Sequence, residues 1–402
     1  MDWQTPEDTV LATFVTEANA RSVAGAPPVT GAWREGDPVG NRKFESIGTV
    51  RLERGGELPS VRVAYETFGT LNPDGRNAIL VVHALTGDSH LVGEPGPGHP
   101  TAGWWAGLVG PEKPIDTDEW FVVVPNMLGG CQGSTGPASH APDGTEWGSR
   151  FPFVTIRDQV EVQLALTDAL GIERWAAVIG GSMGGMQSLE WGIAHPDRVD
   201  RIAVLAAPAV SSADQIALNF VQLEAVRNDP NFAGGDYYEL DEGPYRGLAL
   251  ARRMALLNYR SPTELNDRFE RSWQSGVSPL GGGGRYAVES YLDFHGNKFT
   301  RRFDANSYLR LVEAMNSHDV GRGRGGVATA LSGLVAPTLV LGIDSDRLFP
   351  VPDQRVLAKL APGNIDGDEP TVISSPFGHD AFLIEDKLVG AQLQRLLAVP
   401  VA

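Results

Sequence analysis

The hexapeptide Gly180-Gly181-Ser182-Met183-Gly184-Gly185 lies directly between the apolar run 175–179 and a helix-competent stretch that begins at Met186. This order predicts a strand, a sharp turn and a helix, the context in which a G-x-S-x-G pattern presents a nucleophilic serine. Glycine is needed two residues to either side, because a side chain there would collide with the neighbouring strand or helix. Ser182 is therefore the candidate nucleophile, and the alternative is a glycine-rich turn whose serine only caps the helix.

An acidic residue is expected after a later strand, because the acid and the histidine follow the serine in this arrangement. Residues 337–343 read as a buried strand, and Asp344 and Asp346 come directly after it. We favour Asp346 since it lies in the loop, with Pro350 four residues on, whereas Asp344 is nearer the end of the strand.

His379 is the candidate base among the eight histidines of the chain. It follows the predicted strand 370–375, and an acid loop precedes it, as a serine nucleophile requires of its histidine. His318 is the main rival, and His83 and His90 flank a different informative segment. Glycine or proline neighbours argue against the other four, His99, His140, His195 and His295.

Backbone N–H groups are expected to stabilise the negative charge that develops on the reacting carbonyl oxygen. One should come from Met183, the residue after the nucleophile, and a second from the loop that follows an early strand. Residues 77–82 read as that strand and residues 83–87 as that loop. We assign the second N–H group to Leu85.

Strands and helices alternate along the 402 residues, which predicts an α/β fold with a mostly parallel central sheet and helices on both faces. The predicted strands are 48–54, 60–68, 77–83, 120–125, 175–180, 201–207, 337–343 and 370–375. From 207 to 337 we predict no strand, and the helix-like stretches there are 214–228, 247–259, 263–274 and 305–315. The expected organisation is a leader at 1–45, a core at 46–210 and 330–402, and an inserted helical lid at 211–329.

Composition excludes several classes of protein. The single cysteine, Cys131, allows neither an internal disulfide nor a cysteine-based metal site. A net charge of −17 argues against nucleic acid or an anionic membrane as a partner, and the absence of a signal peptide or long apolar run favours a soluble, cytoplasmic protein. The predicted lid carries 14 Lys or Arg and 15 Asp or Glu, so it would attract an anionic substrate unless its arginines are only solvated helix faces.

Six segments form a specific combination of motifs: 65–69 (YETFG), 83–90 (HALTGDSH), 126–137 (NMLGGCQGSTGP), 180–187 (GGSMGGMQ), 345–350 (SDRLFP) and 378–380 (GHD). Together they resemble the homoserine O-acetyltransferases of methionine biosynthesis, α/β-hydrolase-fold acyltransferases with a helical lid. The resemblance covers residues 46–390. It implies an α/β-hydrolase fold for this chain.

The resemblance also implies a reaction: acetyl transfer from acetyl-CoA to the hydroxyl of L-homoserine through a seryl acyl-enzyme. Ser182, Asp346 and His379 match the nucleophile, acid and base of the family. No metal or organic cofactor is implied, and a homodimer through the lid is expected.

Three further residues match the positions with which the family holds homoserine, namely Arg252, Tyr259 and Asp380. An arginine can bind the α-carboxylate bidentately, and an aspartate can receive the α-ammonium. The alternative for Arg252 is a helix-surface arginine like its neighbour Arg253.

Two lid positions depart from the family pattern. Leu223 stands where many relatives have an arginine, and Asn316 stands where an aspartate is common. These differences concern lid packing or acyl-donor contacts rather than the triad. The rival functions are transfer of a succinyl group from succinyl-CoA, acylation of serine, and a serine esterase or thioesterase in which water replaces homoserine.

Overall fold

A computed structural model describes residues 22–401 of the protein. Its strands are β1 (Lys43–Arg51), β2 (Glu57–Phe68), β3 (Ala78–Val82), β4 (Val109–Gly110), β5 (Ile115–Asp116), β6 (Phe121–Pro125), β7 (Ala177–Gly181), β8 (Ile202–Leu205), β9 (Thr338–Ile343) and β10 (Thr371–Ile373). Eight of them form one sheet in the order β1-β2-β6-β3-β7-β8-β9-β10, and β4 pairs with β5 alone. Strand β2 is antiparallel to both of its neighbours, and the six strands from β6 to β10 in this order are parallel.

The helices occupy both faces of the sheet and a long insertion after β8. They are α1 (Ile156–Ala169), α2 (Met183–Ala194), α3 (Ala213–Arg227), α4 (Tyr245–Tyr259), α5 (Pro262–Phe269), α6 (Ala287–Phe299), α7 (Ala305–Asn316), α8 (Val327–Leu331), α9 (Val351–Leu360), α10 (Ala381–Ile384) and α11 (Asp386–Leu397). Helix α2 packs on β3, β7 and β8, whereas α3 packs against α4 and α7, and α6 against α4 and α5. None of the helices in residues 22–401 has the length and apolar character that crossing a membrane requires.

The predicted mostly parallel sheet is confirmed, and each predicted strand overlaps a strand of the sheet. The largest difference is at β1, predicted at 48–54, because the residues ahead of Gly48 pair with β2 through a register shift that no local pattern indicates. Helix α6 was not predicted, since it buries only Tyr291, Gly296 and Phe299 and so lacks a clear apolar stripe. The region between β8 and β9, which is described throughout, holds helices and no strand.

The division into leader, core and lid stays a prediction. Residues 1–21 of the predicted leader lie outside the described residues, and β1 begins inside that leader, at Lys43. The leader residue Gly31 donates its N–H to the Phe303 carbonyl at 3.2 Å, and Trp33 donates to Cys131 at 2.9 Å. These two bonds join the leader to the start of α7 and to the loop after β6.

Buried side chains on both faces explain why the central strands are continuously apolar. All five residues of β3 are buried. Leu80 and Val82 belong to one core cluster, while Ile79 and Val81 belong to the cluster on the other face. Parallel strands covered by helices on both sides require such sequences, and this is why the sequence pattern located them well.

The turn between β7 and α2 depends on a close approach of backbones. A Cβ atom on Gly180 would overlap the Gly184 carbonyl, and a Cβ atom on Gly184 would overlap the Val82 carbonyl oxygen. The first turn of α2 is therefore pressed against the ends of β7 and β3. This contact fixes where residues 182 and 183 lie relative to the loop that follows β3.

Gly184→Ala should destabilise the protein, because the added methyl group meets backbone atoms that cannot rotate away. Overpacking of this kind costs about 1–3 kcal/mol of unfolding free energy. Urea denaturation should show a lower midpoint with an unchanged slope. Gly276→Ala is the control, since a Cβ atom there meets nothing within 4 Å, and an equal loss of stability in both variants would contradict the explanation.

Candidate active site

Ser182 lies on the strained turn between β7 and α2. Its φ of 57° and ψ of −124° form a combination that residues with a side chain rarely adopt. Its N–H donates to the Leu205 carbonyl at 2.9 Å, which ties the turn to the end of β8. The residue is 4% exposed. The candidate nucleophile is thus held at the carboxyl edge of the parallel strands.

The same edge carries a histidine and a carboxylate in contact. His379 Nδ1 lies 2.7 Å from Asp346 Oδ2, and the other oxygen of Asp346 accepts the N–H groups of Leu348 at 2.8 Å and Phe349 at 3.0 Å. Asp344 is directed elsewhere, because its Oδ1 accepts the Ser375 N–H at 3.1 Å. Of the two candidate acids, the structure therefore brings Asp346 to His379.

The environment of the His379 ring leaves one nitrogen available. Nε2 is buried and has no hydrogen-bond partner among residues 22–401. The rings of Tyr259, Phe349 and Phe382 surround the imidazole, with centroids 5.2–5.7 Å away. Burial opposes protonation of His379, but the charge and hydrogen bond of Asp346, assisted by Asp380, outweigh it and raise the pKa of His379. The ring is thus prepared to accept a proton at Nε2.

His318, the rival base, has a different environment. Its Nε2 lies 3.1 Å from the Pro208 carbonyl oxygen, and burial lowers the pKa of His318 to about 4. A neutral ring whose N–H is directed at a backbone carbonyl supports the chain between β8 and α3. The structure does not place His318 beside Asp346.

The loop after β3 contains the predicted second N–H donor. The N–H groups of Leu85 and Met183 donate to no other group in the described part of the chain. His83 Nε2 accepts the Met127 N–H at 3.2 Å, so Nδ1 carries the proton and donates to the Ala84 carbonyl at 2.8 Å. Burial lowers the pKa of His83 and favours this neutral form. The loop is therefore held from the inside by a buried imidazole.

Arg252 extends from α4 toward this loop. Its guanidinium lies 5.5 Å from the Tyr259 ring centroid and 5.1 Å from that of Phe299, and Nη1 is 3.5 Å from the Thr86 hydroxyl. A contact of 3.5 Å is a weak hydrogen bond. No carboxylate pairs with Arg252 among the residues that the structure describes, so its charge is available to an anionic ligand.

Asp380 and Tyr259 lie beside His379, Asp380 in the predicted core and Tyr259 in the predicted lid. The Asp380 Oδ2 is 3.2 Å from the Nε of Arg260. Burial raises the pKa of Asp380, against the opposing charges of Arg260, Arg252 and His379. Burial also raises the pKa of Tyr259, which keeps its hydroxyl protonated. The three positions matched to homoserine binding therefore meet near one histidine.

Two arginines that the sequence analysis did not single out reach the site. Arg260 pairs with Asp380, and Arg302 lies 3.5 Å from the Asp88 carboxylate and donates to the Thr86 carbonyl. Both lie in the predicted lid, and their partners are distant in sequence. The lid's balanced charge was the only signal in the sequence, and it does not identify individual arginines.

The two departures from the family pattern lie inside the predicted lid. Leu223 on α3 is buried in the larger core cluster. Asn316, at the end of α7, accepts the side-chain N–H of Asn219 at 2.7 Å. Asn316 therefore links α7 to α3, whereas Leu223 contributes to the buried core.

Glu66, His90 and His99 form a buried cluster of potential metal ligands whose donor atoms lie within 4.8 Å of one another. The two imidazole rings are stacked, with centroids 3.9 Å apart and planes 13° apart. An ion binds in the plane of an imidazole ring, and two nearly parallel planes at this spacing do not meet at one ion. Asn41 N–H already donates to His99 Nε2, and the Ser89 hydroxyl to Glu66, each at 2.9 Å. We interpret the cluster as hydrogen-bonded support for the loop after β3.

Comparison with known proteins agrees with this geometry. A family model described as alpha/beta hydrolase fold matches residues 77–386. A homoserine O-acetyltransferase of Clavibacter michiganensis subsp. michiganensis (strain NCPPB 382) is 70% identical over 388 residues, which cover 96% of this chain and 100% of the relative. The crystal structure of homoserine O-acetyltransferase from Bacillus anthracis superposes with a TM-score of 0.81 at 28% identity, over 90% of this chain and 98% of that one.

Esterase E22 is also similar, with a TM-score of 0.80 and 27% identity over 89% of this chain and 99% of its own. The scaffold is thus shared by proteins named for transfer and for hydrolysis. The relative that is 70% identical over nearly the whole chain is named for transfer, so this chain groups with the transferases rather than with the esterases. The chain belongs to the homoserine O-acetyltransferase family of α/β-hydrolase-fold acyltransferases.

Proposed function

We propose that the chain transfers an acetyl group from acetyl-CoA to the hydroxyl of L-homoserine, through an acetyl-enzyme on Ser182, in methionine biosynthesis. One observation carries the mechanism: Asp346 holds Nδ1 of His379 while the buried Nε2 has no partner among the described residues. That nitrogen can take the proton of a serine and later that of a second alcohol. We infer the acyl group, acetyl, and the accepting alcohol, homoserine, from the name of the relatives.

In the first half-reaction, His379 Nε2 removes the hydroxyl proton of Ser182 while Ser182 Oγ attacks the thioester carbonyl of acetyl-CoA. The N–H groups of Leu85 and Met183 bind the resulting oxyanion. Each such donor contributes about 3 kcal/mol to transition-state stabilisation. The C–S bond then breaks, and CoA leaves as a thiol with the proton from His379.

In the second half-reaction, the L-homoserine hydroxyl gives its proton to His379 and attacks the acetyl carbonyl. Arg252 binds the α-carboxylate of homoserine, because its charge has no acidic partner in the described chain. Asp380 receives the α-ammonium, and Tyr259 closes the space beside the His379 ring. Ser182 is released with its proton restored, so the kinetics are ping-pong. No step requires a metal or an organic cofactor.

A homodimer formed through the lid and a cytoplasmic location complete the proposal. Five large apolar side chains on α3 and α4 are 39–56% exposed: Ile216, Phe220, Val221, Leu250 and Leu257. Contact with a second lid would remove this apolar area from water. A single buried thiol, Cys131, suits a reducing compartment.

Hydrolysis is the second candidate function, favoured by the similarity to esterase E22. Water would then replace homoserine in the second half-reaction. Mass spectrometry of the products from acetyl-CoA and homoserine separates the two, since transfer gives O-acetylhomoserine and hydrolysis gives acetate. Parallel reactions with succinyl-CoA or serine test the remaining alternatives.

Incubation of the protein with acetyl-CoA alone should leave an acetyl group on the peptide that contains Ser182, and Ser182→Ala should abolish both the adduct and transfer. Burial raises the pKa of the Cys131 thiol to about 12, so that thiol is a poor nucleophile at neutral pH. An adduct on the Cys131 peptide would overturn the assignment.

Asp346→Asn should lower kcat by about 10³–10⁴, because the amide no longer holds the productive tautomer of His379. Asp344→Asn is the matched control. Its amide oxygen can still accept the Ser375 N–H. We therefore expect kcat to change less than about threefold, because this one hydrogen bond is kept. Steady-state rates at saturating substrates measure the difference, and equal losses would show that the wrong aspartate was chosen.

Arg252→Ala should lower kcat/KM for homoserine at least about tenfold, because a charge-assisted contact is worth roughly 1.5–3 kcal/mol. The burst of CoA released in the first turnover without homoserine should stay near the wild-type rate. Arg253→Ala serves as the control, since Arg253 Nε lies 3.2 Å from Asp293 on α6. A burst slowed as much as full turnover would assign Arg252 to CoA binding or lid structure instead.

A further inference from the structure

Arg302 connects the lid to the loop that follows β3. It lies between α6 and α7, and its side chain is 19% exposed. Nη2 donates to the Thr86 carbonyl, and Nη1 is 3.5 Å from Asp88 Oδ2. The guanidinium therefore contacts the loop on both sides of Gly87. The guanidinium of Arg302 is thus already bound to the Thr86 carbonyl and the Asp88 carboxylate. Arg302 differs in this from Arg252, whose charge is available to a ligand.

Two peptide planes lead from Arg302 to the proposed oxyanion donor. The Thr86 carbonyl and the Gly87 N–H belong to one trans peptide, so they point in opposite directions. The Gly87 N–H donates to the Ala84 carbonyl at 2.9 Å. That carbonyl shares the next plane with the Leu85 N–H, which again points the opposite way. A continuous chain of donors and acceptors thus runs from the guanidinium to Leu85.

Each link of this chain has the same direction, from a positive charge toward the N–H group of Leu85. Hydrogen bonds in such a series polarise one another, by about 10–30% per bond. The buried ring of His83 also donates to the Ala84 carbonyl, at 2.8 Å. The Leu85 N–H is therefore both aimed and made a stronger donor before any substrate arrives, which is what stabilisation of an oxyanion requires.

We propose that Arg302 is a positioning residue that orients and polarises the oxyanion-binding N–H of Leu85 through the Thr86–Gly87 and Ala84–Leu85 peptides. This inference rests on the proposed function, in which that N–H binds the oxyanion. Arg302 itself touches no substrate. The predicted lid therefore supplies an arginine that acts on both half-reactions, since each forms an oxyanion, in addition to Arg252, which acts on the second.

The test compares acylation in the wild type, Arg302→Lys and a double variant, Asp88→Asn with Arg302→Met. The double substitution avoids a buried, unpaired Asp88 carboxylate, which would destabilise the loop for an unrelated reason. Stopped-flow release of CoA without homoserine gives the maximal acylation rate and the half-saturating concentration of acetyl-CoA. Calorimetry gives the affinity for CoA itself, a ligand without a reacting carbonyl.

The double variant should acylate about 10–100 times more slowly, below the 10²–10³-fold loss of a whole oxyanion donor. The affinity for CoA and the half-saturating concentration should change less than about threefold, because the oxyanion exists only in the transition state. Arg302→Lys keeps the charge but replaces the planar guanidinium fork by a single ammonium group, so its loss should be intermediate. Arg301→Met is the control, since Arg301 donates to the carbonyls of Val23 and Gly25 instead, and it should acylate normally.

Three results would overturn the inference: wild-type acylation in both Arg302 variants, a loss confined to CoA affinity, or an equal loss in Arg301→Met. If the double variant does not fold, Arg302→Lys decides alone, and its rate must then fall with its melting temperature unchanged. Failure of the proposed function looks different, because the wild type itself would then form no acetyl adduct on Ser182.

Discussion

The contact of Gly184 with the Val82 carbonyl is the constraint on which the rest of the site depends. It presses the first turn of α2 against the end of β3. Met183 directly precedes Gly184, and Leu85 follows Val82 by three residues, so a single backbone contact sets the separation of the two proposed oxyanion donors. The strained φ of Ser182 is a consequence of the same geometry. The surrounding parallel strands are buried on both faces, and the stability of this large core offsets the free-energy cost of the strained backbone.

A second constraint comes from burying a histidine that has to carry charge for part of the cycle. Three aromatic rings exclude water from His379, and burial alone would disfavour the imidazolium. Asp346 offsets this cost, and two backbone N–H groups hold the carboxylate in place. The pKa of His379 therefore lies above its ordinary value although the ring is buried. The carboxylate thus both orients the ring and makes its protonated form attainable.

The sequence predicted what depends on local pattern and missed what depends on distant partners. The central strands were predicted correctly because burial on both faces makes them continuously apolar, and the tight turn at Ser182 because such a turn demands glycine at fixed positions. The sequence favoured Asp346 over Asp344 only by its place in the loop and by resemblance, since both follow the same strand; their hydrogen-bond partners, His379 and the Ser375 N–H, supply the physical distinction. Arg302 left no signal, because its partners Thr86 and Asp88 are more than 200 residues away along the chain. Helix α6 was missed since its buried face is discontinuous.

Three arginines of the predicted lid differ in their partners, and this difference bears on how a hydrolase scaffold favours transfer over hydrolysis. Arg302 and Arg260 already face Asp88 and Asp380, whereas Arg252 lies against two aromatic rings with no acidic partner among the described residues. A cation held in this way has lost part of its hydration before the substrate binds, and an incoming carboxylate replaces the lost water with charge-assisted hydrogen bonds. Water brings no compensating charge. In the proposed mechanism, homoserine therefore gains binding energy at the acetyl-enzyme that water cannot obtain, and it displaces water from the face of the ester next to Nε2 of His379.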